Sequence, residues 1–314
     1  MPVPVLNKSR GIKMGRAIMD SSLKIRKPAV AGKFYDGDAE TLQDQIFDMI
    51  EKVSLEIDDD ASGPAARALI LPHAGYSFSG MTAVKTLLRT RGRKYDKVLI
   101  LAPSHHVPFQ GLAASSSESF RTPIGDVPVD VNSVNSVLSE NSPLIQMLDE
   151  AHLPEHSLEV ELPIAQEILK DFKLIPFICG YVDTVSAAKI ADSLKKLWRD
   201  DTLWIISSDF THFGSYFSYV PFRSNIKQNL KKLDMGAVEK IKALDPGGFG
   251  EYVKSTGTTI CGANPIMILL SLLKKLASEG RRINSELVEY TSSGEISGDW
   301  SHCVSYAGMA FYQE

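Results

Sequence analysis

The fold is decided by the stretch Lys97-Val98-Leu99-Ile100-Leu101-Ala102-Pro103-Ser104-His105-His106-Val107-Pro108. Its apolar part has the length of a buried strand and is broken at Pro103, because proline cannot donate to a central strand ladder. His105 and His106 therefore follow the carboxyl end of that strand. Ligands of open α/β sheets bind outside the carboxyl ends of the strands. The stretch predicts an α/β fold with a functional site at this rim.

Three other segments carry reactive side chains at an equivalent point. They are residues 68–71 before His73, residues 203–207 before Asp209 and His212, and a glycine-bounded loop with Cys261 before an apolar helix over 266–276. Parallel strands point their carboxyl ends the same way, so we expect these groups to meet in one cleft.

The pattern along the chain alternates between helical and strand periodicity. Helices are predicted over 42–53, 80–88, 134–138, 187–198, 230–244 and 266–276 and in a segment that ends at 169, strands over 174–179, 287–290 and 304–312, and a β-hairpin over 120–129. The 314 residues allow one large or two small domains. No internal repeat and no long linker is present. We therefore predict one α/β domain over 28–314 with a central, mostly parallel or mixed sheet flanked by helices.

The composition excludes several classes of protein. The chain is 44% hydrophobic and 23% charged with a net charge of -4, so no bulk attraction to nucleic acid or anionic lipid is expected. No apolar stretch is long enough to span a membrane. The three cysteines lack the spacing of a disulfide framework or a zinc knuckle, which favours a reducing, cytoplasmic location, with the nucleus as a further one. Residues 1–27 are basic and predict a mobile tail, with an organelle transit peptide as the alternative.

The strand-end residues are typical of a transition-metal site. Imidazole and thiolate ligands suit iron, copper or zinc, and three such ligands leave positions open for a substrate. His212 is a candidate general acid or base, and Asp209 is a candidate for orienting a ligand. Each residue also has a structural alternative. Cys261 can be a small buried hydrophobe, Asp209 a helix N-cap, and His106 a support for its neighbour.

His156 and Glu159 are spaced to share one helical face, which is either part of a site or a solvated edge. We assign His106, His156 and Glu159 to substrate binding.

Six motifs together resemble the Memo family. They are Ala31-Gly32-Lys33-Phe34-Tyr35, Pro72-His73-Ala74-Gly75-Tyr76, Pro103-Ser104-His105-His106, Glu155-His156-Ser157, Ser207-Ser208-Asp209-Phe210-Thr211-His212 and Thr259-Ile260-Cys261-Gly262. The resemblance implies a fold similar to the class III (LigB-type) extradiol dioxygenases, with iron or copper as the cofactor and redox activity. It also implies a link to cell motility, because a human member is described as a motility effector that recognises a phosphotyrosine peptide.

Carried over residue by residue, the resemblance places metal ligands at His73, His105 and Cys261. His212 matches the acid–base histidine of the dioxygenases, and Asp209 lies beside the metal. The dioxygenases have a carboxylate where this chain has Cys261, which argues against ring cleavage because a thiolate is a softer ligand. Glu161 departs from the pattern of the animal members of the Memo family. They carry a histidine at this position, so we expect one wall of the pocket to differ.

Three functions therefore remain open. The first is a metal-dependent redox enzyme acting on a small molecule. The second is an adaptor that binds a phosphorylated peptide without chemistry, and the third is a protein that sequesters metal. Support for the adaptor is thin, because no arginine cluster near the motifs resembles a phosphate clamp and the nearest candidates are Arg121 and Arg223.

Overall fold

The computed structural model describes residues 24–56, 64–140 and 142–314. The described residues form twelve strands: β1 (Ile25–Arg26), β2 (Ala68–Leu71), β3 (Lys97–Pro103), β4 (Leu112–Ala114), β5 (Ser119–Thr122), β6 (Gly125–Pro128), β7 (Ile145–Met147), β8 (Lys173–Cys179), β9 (Thr202–Ser207), β10 (His212–Phe213), β11 (Ile283–Ser292) and β12 (Cys303–Gln313). They also form ten α-helices: α1 (Ala39–Glu56), α2 (Tyr76–Leu87), α3 (Val131–Leu138), α4 (Asp149–His152), α5 (Glu161–Leu169), α6 (Thr184–Leu194), α7 (Ile226–Lys242), α8 (Pro246–Thr256), α9 (Ala263–Ser278) and α10 (Ser293–Ser297).

Nine of the strands form one mixed sheet. Eight follow the order β10-β12-β2-β9-β3-β8-β4-β7, and β11 pairs with β12. The four central strands β2, β9, β3 and β8 are parallel, whereas β12 is antiparallel to β2 and β4 is antiparallel to β8. This architecture confirms the predicted single α/β domain. Its central feature is that β2, β9 and β3 are direct neighbours, so the segments that follow them emerge side by side.

The central strands are apolar over most of their length, as expected for parallel strands in a sheet that helices cover on both faces. On one face α2 packs on β2, β11 and β12 and contacts α1 and α5. A second group, in which α9 contacts α6, α8, β3 and β9, covers the other face. Every residue of β2 and β9 is buried. Both helix groups therefore hold the carboxyl ends of the strands in a fixed arrangement.

The predicted secondary structure is largely confirmed. The hairpin over 120–129 is β5 and β6, which pair antiparallel around a tight turn. The helix predicted over 80–88 begins earlier, at Tyr76, where the backbone N–H of Phe78 already bonds to the carbonyl of Gly75. Among the described residues, no helix is long and apolar enough to cross a membrane.

The strand β1 lies before residue 28, at which the folded domain is predicted to begin. Residues 1–23 lie outside the described residues, so most of the predicted tail does too. Ile25 and Arg26, however, form β1, which pairs in parallel with Ser119 and Phe120 of β5. Arg26 is buried and forms an ion pair with Glu159. Its burial among polar partners explains why a basic residue so close to the predicted tail belongs to the folded domain.

Candidate metal centre

The three neighbouring strands β2, β9 and β3 place their following residues at one point of the sheet. His73 follows β2, His105 follows β3, and Asp209 and His212 follow β9. The loop before α9 brings Cys261 to the same place, with its Sγ 3.2 Å from His73 Nε2. The structure thus brings together the strand-end residues that the sequence predicts to meet.

His73 is buried and held from two sides. Its backbone N–H donates to Asp209 Oδ1 at 2.9 Å, and its ring Nδ1 lies 2.7 Å from Ser207 Oγ. Burial, together with the neighbouring histidines, lowers the pKa of His73 well below its usual range. The ring is therefore neutral near pH 7, and Nε2 faces Cys261.

His105 is oriented by Glu155, a buried carboxylate that the sequence analysis assigned no role. His105 donates from its backbone N–H to Glu155 Oε2 at 2.6 Å, and its Nδ1 lies 2.8 Å from Oε1. Burial alone would raise the pKa of Glu155, but hydrogen bonds from the ring and backbone of His105 and from the backbone of Ser157 bring it to about 2. An ionised carboxylate only accepts, so Nδ1 carries a proton and, in the neutral ring, Nε2 keeps its lone pair. Carboxylates orient metal-binding histidines in this way.

His156 completes a cluster of three imidazoles. One ring nitrogen each of His73, His105 and His156 lies within 4.8 Å of the other two. The ring of His156 stacks on that of His105 with centroids 4.7 Å apart, and burial lowers its pKa to about 4. Sequence reasoning assigned His156 to substrate binding, whereas its position would also allow it to bind a metal ion. Its place directly after Glu155 was the available signal.

Cys261 and Asp209 lie beside His73. The backbone N–H of Asp209 donates to Cys261 Sγ at 3.2 Å. Burial and the nearby Asp209 raise the pKa of the Cys261 thiol well above its usual range. Burial also raises the pKa of Asp209 to about 7, although hydrogen bonds from the backbone of His73 and Ala74 oppose the shift. Burial therefore favours the uncharged form of both groups beside His73.

His212 is anchored through its Nδ1 as well. That atom lies 3.0 Å from the carbonyl oxygens of Phe210 and Thr259, which only accept, so it carries the proton. Burial lowers the pKa of His212. Nε2 of this neutral ring is free to accept a proton. The geometry suits a general base.

A pocket of about 620 Å³ is lined by His73, His105, His156, Asp209 and His212, whereas Cys261 and Glu155 lie behind its wall. Aromatic side chains form much of its wall and mouth, among them Phe34, Phe78, Tyr216 and Phe217. The side chains of Phe78 and Tyr216 remain 41% and 83% exposed. No lysine or arginine occurs among the described residues that line the pocket. It therefore suits a neutral, partly aromatic ligand better than a highly charged one.

Two predicted positions lie away from the pocket, whereas His106 forms a second possible group of metal ligands with Glu155 and His156. Glu159 is fully buried and accepts hydrogen bonds from Ala29, Val30 and Tyr35 in addition to its ion pair with Arg26, so it has no access to a substrate. The prediction for Glu159 rested on a helical face shared with His156. The two residues do not share one, because α5 begins only at Glu161 and His156 lies in the turn before it. Glu161 is buried and is not part of the pocket wall. His106 is exposed beside His156, with ring centroids 6.3 Å apart.

The candidate phosphate-binding arginines are not in the pocket. Arg121 pairs with Asp126 across the β5–β6 hairpin, and Arg223 is an exposed residue before α7. A larger cavity of about 760 Å³ lies at the amino ends of β3 and β8 and is lined by Lys97 and Lys173. It holds none of the groups described above, so cavity size does not identify the site.

Comparison with known proteins identifies the family. A family profile described as "Memo-like protein" matches residues 26–310. The chain belongs to the Memo family. It is 33% identical over 297 residues to a MEMO1 family protein of Pyrococcus furiosus, covering 91% of this chain and 98% of the relative.

Memo relatives of animals are similar to the same extent. The chain is 30% identical over 300 residues to Protein MEMO1 of Homo sapiens, covering 93% of this chain and 99% of the relative. It is 31% identical over 302 residues to the memo-1 homolog of Caenorhabditis elegans, covering 91% and 82%. The Memo match thus spans the sheet, both helix groups and all residues of the candidate metal centre.

Proposed function

We propose that this Memo protein binds iron or copper at His73, His105 and Cys261, with His156 as a fourth ligand, and uses the metal in redox chemistry on a small molecule. One observation supports it most. One ring nitrogen each of His73, His105 and His156 lies within 4.8 Å of the other two, and His73 Nε2 lies beside Cys261 Sγ. The pKa values of His73 and His156 are lowered, and Nδ1 of His105 is hydrogen-bonded to a carboxylate.

The donor set fits such a metal. His105 directs Nδ1 to an acceptor of the protein, which leaves Nε2 as the ligand atom. His73 Nε2 and Cys261 Sγ lie 3.2 Å apart, a separation that two ligands of one ion can adopt. Imidazole and thiolate are ligands of copper and iron, whereas Mg²⁺ and Ca²⁺ prefer oxygen. When bound, the metal supplies a redox centre and a Lewis acid at the floor of the pocket.

The residues of the chain have separate roles in this proposal. His212 accepts a proton from the substrate at Nε2, because Nδ1 is fixed to backbone carbonyls. Asp209 holds His73 and Cys261 in place through their hydrogen bonds to its carboxyl and backbone. The aromatic wall around Phe34 and Phe217 excludes water and binds an apolar ring. Ring cleavage of catechols is expected to be weak, since Cys261 stands in place of a carboxylate.

Two alternatives share this site. A metal-sequestering protein would use the same ligands without turnover. A phosphopeptide adaptor with a role in cell motility would need a cation for the phosphate, and the described lining residues offer only histidines. The charge of the pocket therefore favours a neutral small molecule.

Metal analysis of anaerobically purified protein tests the proposal. We expect about one equivalent of iron or copper in the wild type and a sharp loss in His73→Ala, His105→Ala and Cys261→Ser. His302→Ala is the matched control, because His302 bonds to Ser215 at the pocket rim and is not part of the cluster. Wild-type metal affinity in any two of the three ligand variants would refute the site.

Oxygen consumption then separates the alternatives. The metal-loaded wild type is assayed with small phenolic compounds and a reductant, and a phosphotyrosine peptide is titrated in parallel. Turnover supports the redox enzyme. Tight metal binding without any turnover favours sequestration, and saturable binding of the peptide but not of its unphosphorylated form favours the adaptor.

A further inference from the structure

The hydroxyl of Ser207 lies directly behind the candidate metal centre and touches three polar groups. Its Oγ lies 2.7 Å from His73 Nδ1, 2.6 Å from the carbonyl oxygen of Ser157 and 2.8 Å from Glu161 Oε1. All four residues are at most 2% exposed. Because bulk water does not reach this point, the four groups must satisfy one another.

The protons can be counted from the chemistry of the groups. A hydroxyl donates one hydrogen bond and accepts two. The Ser157 carbonyl only accepts, so the Ser207 proton must point at it. Otherwise two oxygens would lie 2.6 Å apart with no proton between them. Ser207 Oγ then accepts from both other partners, which requires a proton on His73 Nδ1 and a proton on Glu161.

The surroundings of Glu161 agree with a protonated acid. Burial raises the pKa of Glu161 well above its usual range and nearby Asp209 raises it further, whereas a Ser207 hydroxyl that donated to the carboxylate would lower it. The Ser207 proton is directed to the Ser157 carbonyl instead. Tyr76 also interacts electrostatically with Glu161, and its hydroxyl donates to the Val160 carbonyl. No lysine or arginine forms an ion pair with Glu161 in the described part of the chain. An ionised Glu161 would be a buried charge without a counter-ion, which is costly.

We propose that Glu161 is a neutral carboxylic acid in the folded protein and that Ser207 and Glu161 are positioning residues for the metal centre. Together they hold His73 as the tautomer with its proton on Nδ1, so that Nε2 presents a lone pair beside Cys261 Sγ. Neither residue touches the metal or the substrate. The inference rests on the proposed function only in taking His73 as a ligand.

The arrangement has a consequence for the charge of the site. Glu161 adds no negative charge behind His73, so the ring stays neutral and available as a ligand. If Glu161 were ionised, the Ser207 proton would turn to it and the Ser157 carbonyl would lose its donor. The neutral acid therefore keeps all three contacts of Ser207 satisfied at once.

Two spectra of the metal-free wild type test the protonation states directly. The infrared difference between wild type and Glu161→Gln isolates the carboxyl of Glu161, and we expect the C=O band of a protonated acid at pH 7. A two-bond ¹⁵N–¹H correlation spectrum reports the tautomer of each histidine, and we expect His73 to carry its proton on Nδ1. A carboxylate band for Glu161, or a proton on Nε2 of His73, would overturn the proposal.

Metal titration tests the positioning role. Ser207→Ala removes the acceptor of His73 Nδ1, and we expect the proton to move to Nε2 and metal affinity to fall about 10- to 100-fold. Ser305→Ala is the matched control, because Ser305 is equally buried but its hydroxyl donates to Asp234 Oδ2 and contacts none of the proposed ligands. Equal affinities of the two folded variants would refute the role.

Separate outcomes identify which proposal fails. If Ser207→Ala does not fold, the wild-type spectra still decide the protonation states. A folded wild type that shows both protons but binds neither iron nor copper would refute the metal centre and leave the protonation assignment standing. Glu161→Gln keeps a donor for Ser207, so we expect it to retain the tautomer of His73 and the metal affinity.

Discussion

Replacing Arg26 by methionine tests whether the buried ion pair with Glu159 anchors the start of the domain. Glu159 is fully buried and accepts from Arg26, from the backbone N–H groups of Ala29 and Val30 at 2.7 and 3.0 Å, and from the Tyr35 hydroxyl at 2.5 Å. Arg26→Met removes the only cation among these partners. The carboxylate then stays buried with three neutral donors.

The expected loss of stability follows from these contacts. Breaking one partner of a buried ion pair costs about 3–5 kcal/mol. Three donors to Glu159 remain, which favours the lower end, but Arg26 also gives up hydrogen bonds to the carbonyls of His152 and Glu155. We expect a loss of about 3 kcal/mol. At about 2 °C per kcal/mol for a chain of this size, the Tm should fall by about 6 °C.

Urea and thermal denaturation at pH 7 measure the effect. Arg121→Met is the matched control, because Arg121 pairs with Asp126 in an exposed hairpin and such a pair contributes less than about 1 kcal/mol. The double variant Arg26→Met with Glu159→Leu should recover part of the loss, since no buried charge is left. A loss below about 1 kcal/mol in Arg26→Met, or the same loss in both single variants, would refute the anchoring role.

Truncations test the same contact from the chain end. Removing residues 1–27 deletes Arg26 and β1, whereas removing residues 1–23 leaves both. We expect the longer truncation to have the lower Tm, with a difference similar to that of Arg26→Met. Equal melting temperatures would show that the boundary lies after residue 27.

The remaining predictions concern the site and its support. His212→Ala should keep the metal but lower any oxygen-dependent turnover roughly 10²–10⁴-fold, measured by oxygen consumption; equal rates would refute the acid–base role. Burial lowers the pKa of His152 to about 4 from 6.5 in the unfolded chain, so the unfolded state binds a proton first. This difference in pKa adds about 3 kcal/mol to the free energy of unfolding above pH 6.5, and the gain is lost as the pH falls towards 4. Urea denaturation at several pH values should therefore show that the free energy of unfolding depends less on pH in His152→Gln than in the wild type. Gly262→Ala would place a Cβ 2.3 Å from Ser208 Cβ, so we expect a loss of about 1–3 kcal/mol in urea and weaker metal binding through displaced Cys261.

Local sequence pattern was sufficient for the strand-end residues. An apolar run ended by proline predicts a buried strand with the next residues at its carboxyl end, and this holds for His73 and His105. Asp209 and His212 follow an equally apolar strand. These positions depend on short-range chemistry, because a strand ends where its ladder cannot continue. The order of the family motifs along the chain indicates the same strand-end positions.

The long-range partners could not be read from the pattern. Arg26 and Glu159 are separated by 133 residues, and a basic residue after a basic tail gives no sign of burial. His156 and Glu159 are three residues apart, which suggests that they share one helical face. Both lie before α5, however, and their side chains point to different parts of the protein. Glu155, the carboxylate that orients His105, is recognisable only when both are placed in space.

The sequence by itself determined the α/β class, the family and the residues that end the central strands, because these depend on apolar runs, their breaks and the motifs between them. Only the tertiary structure decided that β2, β9 and β3 are neighbours, so that His73, Asp209 and His105 converge. It also decided which carboxylates serve the site. Hydrogen bonds and burial set those roles, and both arise between segments that the chain brings together only on folding.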